Sequence, residues 1–168
     1  VVKVLAAALN KRDVWITKGL YPGIQYPVIL GSDAVVLWNE KRYLINPNRS
    51  WGTDERVQSK NYHIMGLPEN GSFAEYLTVS KDRLVLCPEH LSNEEAAALP
   101  LAGLTAYRAL FSRAQCKAGE KVFISGFGGG VASMAFLLAR AMDCELYVSS
   151  SSAQKRKMAL EMGAVAAF

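Results

Sequence analysis

The sequence has too few cysteines for a disulfide-stabilised protein, too small a charge imbalance for a nucleic-acid-binding protein, and apolar runs too short for a transmembrane protein. Its three cysteines, Cys87, Cys116 and Cys144, are far apart and odd in number, which argues against a disulfide framework and for a reducing compartment. Basic residues exceed acidic ones by 19 − 15 = 4 and are scattered, so no nucleic-acid surface is indicated. No apolar run reaches the length of a transmembrane helix. We therefore expect a cytoplasmic protein with neither nucleic acid nor membrane as partner.

Both ends of the sequence lack the features of a natural terminus. There is no initiator methionine and no signal peptide. The chain begins inside an apolar run, residues 1–5, and stops inside another, residues 164–168. We expect an incomplete chain, although 51% hydrophobic residues are enough to form a packed core of one or two domains.

The first half of the sequence contains short β-type runs separated by polar, glycine- and proline-containing loops. The runs predicted as strands are residues 1–8, 35–38, 43–45, 73–79 and 84–86. Many short strands with long loops favour a small, irregular β domain, which we place at residues 1–88.

The pattern becomes helical after Cys87-Pro88, and Ser92-Asn-Glu-Glu95 has the spacing of a helix capping box. From Lys121 onward, strands and helices alternate as β-α-β-α-β, with helices predicted at about 131–142 and 153–162. This order is typical of a parallel, doubly wound sheet. The sequence thus predicts an α/β domain at residues 89–168.

A glycine-rich loop separates the first strand of this domain from its helix. Such a loop lets a pyrophosphate approach the backbone, and the helix N-terminus then faces the negative charge. Strict G-x-G-x-x-G spacing is absent; the spacing present is Gly126-x-x-Gly129-x-x-Ala132. The alternative is a glycine loop without a ligand. The predicted cofactor-binding residues here are Gly126, Phe127, Gly128, Gly129, Gly130 and Val131.

The end of the second strand carries hydroxyls where a fold that selects NADH places a carboxylate. Ser149, Ser150 and Ser151 stand there, followed by Lys155 and Arg156. These groups could bind the 2′-phosphate of NADPH, so NADPH is the expected cofactor. The alternative is a serine-rich helix cap with a solvated basic face.

Several segments, in order along nearly the whole chain, carry a family resemblance. They are Leu9-Asn10-x-x-Asp13, Leu30-Gly-Ser-Asp33, Gly71-Ser-Phe-Ala-Glu-Tyr76, Ala96-Ala-Ala-Leu-Pro-x-x-Gly-x-Thr105-Ala and the Gly126 loop. The chain resembles the medium-chain dehydrogenase/reductase superfamily, on its zinc-independent quinone-oxidoreductase branch. The resemblance implies a GroES-like β domain followed by a Rossmann domain, a nicotinamide cofactor, a small-molecule substrate and a homodimer in the complete protein.

By the same resemblance, Asn10 and Thr105 line the nicotinamide end as the catalytic residues. The alternatives are that Asn10 forms a turn and that the Thr105 hydroxyl bonds to its own helix backbone. Zinc-dependent relatives have Cys and His where this sequence has Asn10 to Asp13 and Gly31-Ser32-Asp33, so no metal site is expected. Without a Lewis acid, hydride transfer to a quinone or an α,β-unsaturated carbonyl compound is favoured over alcohol oxidation. An enoyl-thioester reductase and a catalytically silent nucleotide-binding protein that acts through a partner remain alternatives.

Other candidates are less specific, and two departures from the family stand out. Tyr21 and Tyr107 could donate a proton or simply pack, and Trp51 could border a substrate pocket or plug the core. After Asp33 the family's glycine-rich strand pair is shortened, and the chain stops at the third Rossmann strand. The expected second half of the cofactor fold is therefore missing.

Overall fold

A computed structural model describes all 168 residues, which form two compact units, Val1–Leu101 and Ala102–Phe168. The sequence-based boundary lies earlier, at residue 88. Residues 89–101 group with the first unit because Ala96 and Ala97, in the helix α2 (Asn93–Ala97), pack against Val35 and Cys87. No helix is both long enough and apolar enough to cross a membrane.

The first unit is built on an antiparallel sheet of five strands, in the spatial order β6-β1-β2-β3-β7. The strands are β1 (Val2–Ala8), β2 (Asp33–Trp38), β3 (Lys41–Ile45), β6 (Tyr76–Leu77) and β7 (Leu84–Leu86). A helix, α1 (Lys11–Thr17), follows β1, and a separate two-stranded sheet joins β4 (Asn48–Arg49) to β5 (His63–Ile64). Asn10 is the N-cap residue of α1.

Strand β2 is buried on both of its faces, because its residues alternate between two hydrophobic clusters. Ala34 and Val36 face one cluster, and Val35 faces the other. The stretch after Asp33, predicted to be shortened, is a tight hairpin in which Trp38 pairs with Lys41. Its two turn residues, Asn39 and Glu40, have φ values of 46° and 61°, as a type I′ turn requires.

The predicted strand 73–79 is mostly loop, and only residues 76 and 77 pair in the sheet. Its start is held instead by close backbone packing: a Cβ at Gly71 would clash with the carbonyl oxygen of Gly31. The N–H groups of Gly71, Ser72 and Phe73 bond to the carbonyls of residues 29–31. These tertiary hydrogen bonds replace the strand ladder there.

The second unit has the predicted β-α-β-α-β order. It contains β8 (Lys121–Ile124), α4 (Gly130–Ala141), β9 (Glu145–Val148), α5 (Ala153–Glu161) and β10 (Ala166–Ala167), with parallel pairing in the order β10-β9-β8. Its core contains the fully buried Phe136 and Val148. The parallel α/β fold is thus confirmed.

The segment before β8 is helical but not uniform. Pro100 begins the helix α3 (Pro100–Tyr107), where its missing N–H costs nothing. A π-helical segment, Arg108–Arg113, continues it. Residues 100–113 therefore contain two kinds of helical turn.

Candidate functional site

The glycine loop of the second unit leaves backbone accessible at the carboxyl end of β8. Gly126 has φ 69° and Gly128 has φ 92°, values that glycine adopts without steric cost. Nothing lies within 4 Å of a Cβ added at Gly126. A ligand can therefore approach the main chain closely at this residue.

The helix that follows the loop begins without a side-chain cap. Gly129 is the N-cap residue of α4 and supplies no side-chain hydrogen bond. The N–H groups of the first turn, which includes Gly130 and Val131, have no acceptor in the preceding turn. An uncapped helix N-terminus behind an open glycine loop fits the pyrophosphate of a dinucleotide.

Phe127 anchors the loop from the inside. Its side chain is 3% exposed and packs edge-on against Phe136, with ring centroids 5.1 Å apart. Its N–H donates to the carbonyl of Ser149 at 2.9 Å. Phe127 thus attaches the loop to the core and to the end of β9, whereas the neighbouring glycines form the solvent-exposed side of the loop.

The two cations predicted to bind a 2′-phosphate have different surroundings. A Cβ at Gly128 would lie 2.5 Å from Cδ of Lys155 and 3.0 Å from its Nζ, so the Lys155 side chain lies across the glycine loop. Arg156 instead donates from Nη1 to the carbonyl of Ser150 at 2.5 Å. Lys155 therefore lies at the glycine loop, whereas Arg156 is hydrogen-bonded to the serine segment, residues 149–152.

The serine segment connects β9 to α5 at the same edge of the sheet. The N–H of Ser149 donates to Ile124, and that of Ser150 donates to Phe168. Ser152 caps α5 by accepting from the N–H of Lys155. Ser151 is exposed. Two neighbouring strand ends thus bring the glycines, the serines and Lys155 to one edge.

In the first unit, Asn10 is fixed by a buried carboxylate. Its Nδ2 donates to Oδ2 of Asp33 at 2.8 Å, and Oδ1 of Asp33 accepts the N–H of Leu101 at 2.8 Å. Burial raises the pKa of Asp33 to about 6. The two hydrogen bonds lower this pKa, and the nearby negative charge of Asp13 raises it further, but burial has the largest effect. Asp13 itself accepts the N–H of Asn10.

Next to this network lies a buried cation that the sequence analysis did not single out. Arg12 is 9% exposed. Its Nη1 donates to Oγ of Ser32 at 2.7 Å and to the carbonyl of Met65 at 3.0 Å. Its Nη2 donates to the carbonyls of Ile64 and Leu67. No acidic side chain accepts a hydrogen bond from it, and nothing in its local sequence distinguishes it from a surface arginine.

Arg12 lines a cavity of about 370 Å³ that lies within the first unit. The polar part of the lining includes Tyr21, Tyr62 and His63, and the apolar part includes Leu67 and Pro68. The hydroxyl oxygen of Tyr21 accepts from Nε of Arg12 at 3.3 Å, which leaves its own hydrogen available to another acceptor. The cavity thus combines a cation with a hydroxyl donor.

The positions that hold zinc ligands in zinc-dependent relatives do not fit a metal ion here. The Asn10 amide is engaged by Asp33, and Ser32 Oγ accepts from Arg12 while donating to the carbonyl of Met65. The guanidinium adjacent to Ser32 would repel a dication. No group of three His, Cys, Asp or Glu side chains in the structure could hold a metal.

The remaining candidates lie in separate surroundings. Thr105 is exposed on α3 and belongs to the second unit, whereas Asn10 belongs to the first. Tyr107 is 54% exposed and packs on Phe111. Trp51 packs edge-on against Tyr62. Tyr62 lines the cavity, but Trp51 does not.

Comparisons with known proteins are consistent in sequence and in fold, although no family model matches the chain. The zinc-type alcohol dehydrogenase-like protein YogA of Leptosphaeria maculans is 36% identical over 185 residues, covering 98% of this chain and 52% of that protein. An NAD-dependent alcohol dehydrogenase structure matches with a TM-score of 0.86 and 30% identity, over 99% of this chain and 53% of that one.

A third similarity is to the quinone oxidoreductase from Thermus thermophilus, which was solved also in complex with NADPH. It matches with a TM-score of 0.77 and 32% identity, over 99% of this chain and 49% of that one. The solved neighbours therefore include proteins described with either nicotinamide cofactor. The chain spans about half the length of the curated relatives it matches.

Proposed function

Since the chain belongs to the medium-chain dehydrogenase/reductase superfamily of zinc-type alcohol dehydrogenase and quinone oxidoreductase-like proteins, we propose that the complete protein is an NADPH-dependent, zinc-free reductase of quinones or α,β-unsaturated carbonyl compounds. The observation that carries the proposal is Lys155, which lies across Gly128 beside a strand end without a carboxylate. Family membership by itself supports an oxidoreductase with a nicotinamide cofactor and leaves both the cofactor and the substrate open.

The cofactor would be held by main-chain groups and one cation. The open backbone at Gly126 and the uncapped N-terminus of α4 would hold the pyrophosphate. Lys155, with the serine hydroxyls, would attract the 2′-phosphate. When bound, the nicotinamide supplies a hydride; Asn10 and Thr105 are the residues we propose to line its reactive end.

The cavity of the first unit supports an activated acceptor as the substrate. A carbonyl or quinone oxygen becomes more negative as it is reduced, and donors already in place stabilise that charge. Tyr21 can donate its hydroxyl hydrogen to this oxygen, and the buried charge of Arg12 favours the anion. Oxidation of a simple alcohol would instead require the hydroxyl proton to be lost, which a bound metal ion promotes by acting as a Lewis acid. Asn10 and Ser32 are unsuited to bind such an ion.

Cofactor choice is testable on the 168-residue chain by calorimetric titration with NADPH and NADH. A charge-assisted hydrogen bond contributes about 1.5–3 kcal/mol, so Lys155→Ala should weaken NADPH about tenfold to a hundredfold and leave NADH nearly unchanged. Lys157→Ala is the matched control, because Lys157 lies on the same helix but pairs with Glu161. Equal weakening of both cofactors by Lys155→Ala would place the ammonium at the pyrophosphate and remove the basis for NADPH preference.

The reaction type is tested on the full-length protein by the absorbance of the reduced cofactor. We expect NADPH oxidation with a quinone or an enone and negligible NADP⁺ reduction with a primary alcohol. Tyr21→Phe should lower kcat more than it raises KM, because it removes only the hydroxyl donor. Comparable turnover of the alcohol in chelator-treated protein would contradict the proposed substrate class.

A further inference from the structure

Two cysteines that are distant in the sequence lie side by side in the second unit. Cys116 precedes β8 and Cys144 precedes β9, and because these strands are parallel neighbours, their amino ends meet. The two Sγ atoms are 3.6 Å apart. Both side chains are half-buried against the core of the unit. This pair plays no part in the proposed cofactor site, which lies at the opposite edge of the sheet.

The backbone holds each sulfur in place through the same kind of helix ending. The residues before the cysteines, Gln115 and Asp143, have φ values of 52° and 55°, as residues that end helices often do. The N–H of Cys144 then donates to the carbonyl of Ala139 at 3.1 Å, and that of Cys116 donates to Leu110 at 2.9 Å. The short sulfur separation is therefore built into two ordered helix termini.

We propose that Cys116 and Cys144 form a redox modification site, at which a hydroperoxide oxidises the two thiols to one intramolecular disulfide. A disulfide bond is about 2.05 Å long, so the sulfur atoms must approach by about 1.5 Å from their present 3.6 Å. The third cysteine, Cys87, is 4% exposed in the first unit and takes no part.

The first step oxidises one of the two thiols to a sulfenic acid. Its sulfur bonds to one peroxide oxygen, the O–O bond breaks, and the other oxygen leaves with the thiol proton as water or an alcohol. Partial burial, and then the neighbouring Cys144, raise the pKa of Cys116 to about 11, which slows oxidation of this thiol at neutral pH.

The second step closes the disulfide. The sulfur of the remaining thiol attacks the sulfenic acid, the S–S bond forms as the S–O bond breaks, and the hydroxide leaves as water with the proton of that thiol. The two sulfurs together lose two electrons, and the peroxide gains them. A thiol reductant reverses the modification by exchange.

The test is mass spectrometry of the folded chain after treatment with hydrogen peroxide. We expect a mass lower by two hydrogen atoms, a linked peptide containing Cys116 and Cys144, and a Cys87 thiol that is alkylated only after unfolding. The oxidised chain should also unfold at a temperature several degrees higher, because the new bond restricts the unfolded chain. Reduction should restore the original mass and midpoint.

Single variants test which cysteines form the disulfide. Cys87→Ser should still form it, whereas Cys116→Ser and Cys144→Ser should form none and should leave a sulfenic acid on the remaining cysteine of the pair, which a dimedone probe labels. An unchanged mass, a disulfide that includes Cys87, or a covalent dimer would overturn the proposal itself, whatever the cofactor titrations show.

Discussion

Asp33 is expected to make the first unit less stable at neutral pH than in weak acid. Its side chain is 1% exposed, and burial raises its pKa from 3.8 to about 6. Between these values the folded state binds more protons than the unfolded state, so the free energy of unfolding falls as the pH rises. Below about pH 4 both states are protonated and the penalty disappears.

The size of the effect follows from the shift. At 1.36 kcal/mol for each pKa unit, a change from 3.8 to about 6 costs about 3 kcal/mol above pH 6. Asp33→Asn removes the charge and keeps the shape. The amide oxygen of the new side chain can still accept from Leu101, and its NH₂ group can donate to Asn10 once the Asn10 amide rotates. We expect the variant to be more stable by up to about 3 kcal/mol at pH 7 and nearly equal to wild type at pH 4.

Tryptophan fluorescence is a suitable measurement because Trp15, Trp38 and Trp51 all lie in the first unit. Urea unfolding of wild type and variant at several values between pH 4 and pH 8 gives the difference in free energy of unfolding. Asp82→Asn is the control, since Asp82 is an exposed aspartate of the same unit. A variant no more stable than wild type at pH 7, or a difference independent of pH, would refute the reasoning.

Three further outcomes are expected. Gly71→Ala should lower the free energy of unfolding of the first unit by about 1–3 kcal/mol in urea titration, because its Cβ would meet the carbonyl oxygen of Gly31. An unchanged free energy of unfolding would contradict the packing argument. Arg12→Met should lower the free energy of unfolding by about 3 kcal/mol or more in the same titration, because it leaves buried carbonyl oxygens without a hydrogen-bond donor. Lys11→Met, on the exposed side of α1, should change it little. Elemental analysis after dialysis against a chelator should find far less than one zinc per chain, and a stoichiometric content would overturn the zinc-free proposal.

Much of the architecture could be predicted because it depends on patterns local in the sequence. The β-α-β-α-β order of the second unit follows from apolar periodicity and from the glycines after Ile124. The capping box at Ser92 forms as predicted, with its Oγ accepting from the N–H of Glu95 at 3.1 Å. The hairpin between β2 and β3 likewise joins two β-type runs through a polar turn. Each of these features involves residues a few positions apart.

Features that join distant residues were decided only by the tertiary structure. The strand predicted at residues 73–79 formed over two residues, because its backbone groups bond to residues 29–31 instead. No sequence pattern shows that Lys155, rather than Arg156, lies across Gly128, since that depends on how α5 packs beside the loop.

The same distinction applies to the buried charge and to the thiols. Arg12 looks like one of several scattered cations until carbonyls some fifty residues away surround it. Cys116 and Cys144 look unpaired until parallel strands bring their amino ends together. Local sequence thus determined the elements and the glycine loop of this protein. Burial and long-range contacts determined which side chains carry a shifted pKa, a free hydrogen-bond donor or a reactive neighbour.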